Sequence, residues 1–150
     1  MKKLFAYKYD NKKIDAEDIK EIARSQLTNS VFDFTDALSK KEFKKAKIVL
    51  INLFESGENP INILATITTH FRNLLYIKIS ETEGVNKEKL LSETRMHPFV
   101  YQKTSFQAKR FTMERLKEIY QDIKNTDIAI KTGEQEGELA LDLLIGKICL

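Results

Sequence analysis

Five lysines, Lys40, Lys41, Lys44, Lys45 and Lys47, fall within eight residues, a density of positive charge that could neutralise phosphates. A solvated helix face explains them equally well, because Phe43, Ala46, Val49 or Leu50, and Leu53 supply a buried side to the same helix. Asp127 and Lys131 stand four apart, so their side chains can pair on one helix. Asp127 also interrupts the apolar series Met113, Leu116, Tyr120, Ile123 and Ile130. A carboxylate there is expected to be partly desolvated and paired, with Lys131 the nearest partner and Arg72 a more distant one.

The remaining reactive residue types point away from catalysis. His70 and His97 have no second ligand at metal-binding spacing; His70 reads as a residue at the edge of a core and His97 as a helix-start residue before Pro98. Cys149 lies in an apolar helix, where burial makes a thiol inert. Glu134, Glu136 and Glu138 precede the last helix and suit its positive end better than a paired-carboxylate acid–base site. There is no glycine-rich phosphate loop ending in Lys-Ser or Lys-Thr, so ATP hydrolysis by this chain is not expected. The expectation is no catalytic residue, no metal and no cofactor.

The elements that carry these residues are helical. Asp15 is placed to cap a helix over about 16–27, and Thr28-Asn29-Ser30 separates it from a short second helix bearing Val31, Phe32, Phe34, Ala37 and Leu38. Ser39 and Glu42 have capping-box spacing for a helix of about 40–56, closed by Gly57. Asn59-Pro60 opens a long helix over about 60–82, Asn86 and Pro98 open two shorter ones, and Thr112 caps another that runs to Gly133. The segment 139–148 is apolar on nearly every side, as a helix surrounded by others would be, but too short to span a bilayer. The core is expected from Leu50, Leu53, Leu64, Ile67, Phe71, Leu74, Leu116, Tyr120, Ile123, Leu141, Leu144 and Ile148.

Composition agrees with an all-α protein. Only 5 glycines and 2 prolines occur in 150 residues, too little turn chemistry for a many-stranded sandwich or barrel. The net charge of +3 is concentrated N-terminally: residues 1–50 hold 12 basic and 8 acidic side chains, the rest 13 and 14. The start lacks a signal-peptide stretch and the single cysteine cannot form an internal disulfide, so the cytoplasm is the expected compartment. Residues 1–14 read as an orphaned apolar run followed by a polar turn.

Particular strings take the reading further. Val31-Phe32-Asp33-Phe34-Thr35-Asp36-Ala37-Leu38, Leu53-Phe54-Glu55-Ser56-Gly57-Glu58-Asn59-Pro60, Phe71-Arg72-Asn73-Leu74-Leu75-Tyr76-Ile77-Lys78, His97-Pro98-Phe99 and Asp127 with Ile130-Lys131-Thr132-Gly133 come in an order and spacing that resembles the delta subunit of the bacterial DNA polymerase III clamp loader. The likeness runs from about residue 14 to the end and corresponds to that family's C-terminal part. It implies that residues 1–38 are the trailing portion of an AAA+ lid domain and residues 39–150 a helical collar of about five helices. It implies a non-catalytic role in DNA replication: packing beside the delta-prime and tau/gamma subunits in a pentameric loader, with DNA in the full complex. The sliding clamp would be gripped only by an N-terminal domain that this sequence does not cover, and no membrane is involved. The alternative is a free-standing helical adaptor or nucleic-acid-binding protein using the lysine-rich helix 40–47.

Overall fold

The computed structural model describes residues 15–150. They form seven α-helices and, among the described residues, no strand: α1 (Ala16–Ser39), α2 (Phe43–Glu55), α3 (Pro60–Glu83), α4 (Lys87–Thr94), α5 (Pro98–Ala108), α6 (Met113–Lys131) and α7 (Gly137–Cys149). The expected all-α class is borne out, with six helices after Ser39 rather than about five, because both short segments are complete capped helices. The reading of residues 1–14 lies outside the described residues.

Most helix starts follow from side-chain caps that satisfy otherwise orphaned backbone N–H groups. The carboxylate of Asp15 accepts from the Asp18 N–H while Asp18 accepts from the Asp15 N–H, closing a reciprocal box. Asn59, Asn86 and Thr112 accept from backbone N–H groups of α3, α4 and α6. His97 caps α5 by accepting from Phe99 N–H through Nδ1 at 3.0 Å. Glu136 accepts from both Glu138 and Leu139 N–H, which gives that glutamate the helix-start role expected of its loop.

Two boundaries differ from expectation. Thr28-Asn29-Ser30 does not break the chain: α1 runs unbroken for 24 residues. The Thr28 hydroxyl donates to the Arg24 carbonyl at 3.0 Å, so it is satisfied within the helix, and Leu27, Val31, Phe34 and Leu38 continue one packed stripe through the segment. The Ser39–Glu42 box does not form either. Ser39 is the last residue of α1, its hydroxyl donating to Asp36 O at 2.7 Å. Lys41 then takes φ 58°, with its N–H on Leu38 O and the Glu42 N–H on Ala37 O, the paired bonds of a left-handed helix stop. Helix α2 therefore begins at Phe43, without a side-chain cap.

Helix α3 is the centre of the bundle, packing against α1, α4, α5, α6 and α7, while α1 pairs with α2 and α6 with α7. Ile63, Leu64, Ile67, Phe71, Leu74 and Ile77 are its fully buried side. All the expected core residues are buried except Tyr120, which packs half-buried against the core, and Ile119 occupies the place assigned to it. Helix α7 buries Leu141, Leu144 and Ile148 but leaves Leu139 and Leu143 about half exposed. It is thus a flank of the bundle with an apolar outer side, not the enclosed central helix its composition suggested.

Candidate functional site

The lysine string is spread over a turn and a helix start. Lys40 is the cap residue after α1, Lys41 occupies the left-handed stop, and Lys44, Lys45 and Lys47 lie in α2. Three are already engaged: Lys40 with Asp36 at 3.0 Å, Lys45 with Glu42 at 3.8 Å and Lys47 with Asp142 at 3.0 Å. Lys41 and Lys44 have no ion pair among the described residues. The inner side of α2 is Ala46, Leu50 and Leu53, whereas Phe43, expected on it, is 41% exposed beside outward-facing Ile48 and Ile51. The exposed side of this helix is therefore as apolar as it is basic.

Asp36 links that turn to the one that follows α5. Its carboxylate meets Lys40 and, at 2.8 Å, the Arg110 guanidinium. Burial pushes its pKa up, but the two cations outweigh burial and hold it below the ordinary aspartate value. Beyond Arg110, α5 presents Phe99 and Phe106 to solvent, with Lys103 over the Phe99 ring at 4.8 Å and Arg110 over Phe106 at 5.4 Å.

Asp127 and Lys131 pair at 2.9 Å, with side chains 38% and 60% exposed. The desolvated carboxylate expected there is corrected: the inward series on α6 is Leu116, Ile119, Ile123 and Thr126, and Thr126, not Asp127, takes the buried position. The Thr126 hydroxyl donates to Asp122 O, so the polar group is satisfied. An exposed pair at this spacing contributes only a few tenths of a kcal/mol. Arg72, from α3, lines the same groove as Asp127, Lys131 and Lys124, yet has no ion pair among the described residues.

Three further constellations are structural. His70 is buried against Phe32, ring centroids 4.5 Å apart, with Nε2 2.7 Å from Gln107 Oε1. Arg115 donates to the carbonyls of Lys147 and Ile148 at 2.9 and 2.8 Å, tying the start of α6 to the end of α7. Burial raises the Cys149 thiol pKa, which opposes thiolate chemistry. Among the described residues no group of three metal-ligating side chains converges, and no helix is long and apolar enough to cross a membrane.

A helical bundle whose exposed features are apolar and ionic surfaces is characterised by what it resembles. The family model "DNA polymerase III delta subunit, C-terminal domain" matches residues 28–148. The chain belongs to this family. A DNA polymerase III subunit delta of Bacillus subtilis is 26% identical over 145 residues, covering 97% of this chain and 42% of the relative. A probable DNA polymerase III subunit delta of Aquifex aeolicus is 26% identical over 151 residues, covering 99% and 43%. Among solved structures, the Bacillus subtilis DNA clamp loader delta protein superposes with a TM-score of 0.80 at 25% identity, over 99% of this chain and 44% of that one. The chain thus spans less than half the length of the delta proteins it matches. Arg72, Asp127 and Lys131, which come from two separate strings of the delta likeness, line one groove.

Proposed function

We propose that this chain acts as the C-terminal part of a clamp-loader delta subunit, a non-catalytic module in DNA replication that assembles with the other loader subunits. The observation that carries the reading is agreement over nearly the whole chain with a clamp-loader delta protein, TM-score 0.80. In this reading residues 1–38 end the lid domain and residues 39–150 form the collar, which packs beside delta-prime and tau/gamma in a pentamer. Contact with the sliding clamp belongs to the N-terminal part of a delta protein, DNA is met in the full complex, and the compartment is the cytoplasm. Half-exposed Ile48, Ile51, Leu139 and Leu143 amid lysines and aspartates suit subunit contact, since interfaces combine apolar centres with polar rims. The alternative use of Lys40, Lys41, Lys44, Lys45 and Lys47 on nucleic acid is weakened by the pairing of three of them.

The test is reconstitution. Mixed with delta-prime and tau/gamma from the same source, the purified chain is expected to elute with them in size-exclusion chromatography at micromolar concentration. Elution of the chain alone would overturn the assignment.

A further inference from the structure

Helix α3 turns its buried side to the bundle and leaves a long outward side bare. Two clefts, of about 470 and 320 Å³, share Thr69 and Arg72 and so form one groove along it. Helix α4 walls one with Leu90 and Glu93, and α6 walls the other with Ile123, Lys124 and Ile128. The floor, Thr69, Arg72, Tyr76 and Ile79, advances in steps of three and four, a straight helical ridge. From Thr69 to Glu83 the α4-walled cleft follows 15 residues of α3, a rise of about 21 Å at 1.5 Å per residue, the length of roughly four helical turns.

Its chemistry is polarised. At one end Arg72, Lys124 and Lys131 surround a single carboxylate, Asp127, which Lys131 already holds at 2.9 Å. At the other end stand Glu83 and Glu93. Apolar contact is available between them at Tyr76, 39% exposed, and Ile79, 38% exposed, and within the basic end at Ile128, 56% exposed on the α6 wall. A guanidinium without an ion pair among the described residues, beside exposed apolar side chains, is the composition of an interface anchor, since arginine presents a fork of donors matched to a carboxylate.

We propose that this groove is the docking site for an amphipathic helix of a neighbouring loader subunit. The incoming helix sets a carboxylate on Arg72 and an apolar stripe over Tyr76, Ile79 and Ile128. Its carbonyl end lies toward Arg72, Lys124 and Lys131 and its amino end toward Glu83 and Glu93, so that macrodipole and side-chain charges agree. This rests on the assembly reading and adds the surface, the kind of partner element and its direction.

The experiment compares the full chain with Arg72→Glu, Tyr76→Ala and, on α5 and outside the groove, Phe106→Ala, each titrated against delta-prime and tau/gamma. Arg72 is exposed and has no ion pair among the described residues, so Arg72→Glu should keep the wild-type circular dichroism and melting temperature. It should weaken association about thirtyfold or more, Tyr76→Ala about tenfold, and Phe106→Ala less than twofold. If the wild-type chain associates and Arg72→Glu associates as tightly, the groove assignment falls while the assembly reading stands. If the wild-type chain does not associate at all, both fall. Self-association of the chain alone that Arg72→Glu abolishes would put a second copy in the groove and overturn the proposal. So would binding of an oligothymidylate at 0.15 M salt that the same variant abolishes while subunit association persists.

Discussion

Protonating His70 would put a charge into a buried chain of contacts that joins three helices. The Phe32 carbonyl can only accept, so the Gln107 amide nitrogen 3.1 Å away donates to it, and Gln107 Oε1 must face His70. His70 Nε2 therefore carries the proton and Nδ1 is left to take up another. Burial lowers the His70 pKa from 6.5 to about 4, against the hydrogen bond to Gln107, which acts in the opposite sense. The unfolded chain thus binds the proton first. The stability that depends on a neutral His70 is fully present above pH 6.5, falls as pH drops, and is spent below about pH 4. The whole loss is on the order of 3 kcal/mol, at most about 1.4 kcal/mol per pH unit. Urea midpoints between pH 7 and 4.5 should show this slope, and His70→Gln should lose it; an equal slope in the variant would assign the acid sensitivity elsewhere. Sequence placed His70 at the core edge because Phe71 follows it. Gln107, 37 residues on, was invisible to local spacing. Asp127 failed for a smaller reason: from Ile119 the true stripe steps by four and three to Thr126, one residue short of the carboxylate.

At the scale of elements, what could be read were the caps, because Asp15, Asn59, Asn86 and Thr112 act within three residues of their own position. What could not be read were outcomes decided by competition. Thr28 and Ser39 have side chains that serve a helix interior or end as well as a start, and packing of Leu27 through Leu38 decided for continuity. The junction of α7 with α3 is likewise decided in three dimensions. A Cβ on Gly137 would lie 2.7 Å from Pro60 Cβ and 3.0 Å from its Cγ. Both are ring atoms that cannot rotate aside, so the helix starts would have to separate. Gly137→Ala is expected to cost about 1–3 kcal/mol as an overpacked contact. Gly146, in the same helix, meets nothing within 4 Å, and Gly146→Ala should gain about 0.5–1 kcal/mol by restricting the unfolded chain. Denaturant titration of the two variants measures both. Effects of one sign would mean that contact with Pro60 is not what requires glycine at 137.

At the scale of the molecule, the division proposed near residue 38 falls inside one core. Val31, Phe34, Ala37 and Leu38 are 0–2% exposed and belong to the same contiguous cluster as Leu64, Phe71, Leu116, Ile123 and Ile148. Composition and periodicity show that α1 has an apolar side; only the fold shows that this side closes the bundle formed by α2 to α7. The physical consequence is cooperativity. Burying Val31, Phe34 and Leu38 contributes roughly 1.5–3 kcal/mol each, and the sum is comparable to the whole stability of an ordinary domain, about 5–15 kcal/mol. Residues 15–150 should accordingly unfold in a single transition, with far-ultraviolet circular dichroism and tyrosine fluorescence giving one midpoint. A chain beginning at Phe43 would expose the groove that α1 fills against α2 and α3. It should show no cooperative melt, and should bind a hydrophobic dye that the full chain excludes. If residues 43–150 instead melt cooperatively near the temperature of the full chain, α2 to α7 are energetically complete without α1, and the shared core is a contact between two units instead of the condition for one.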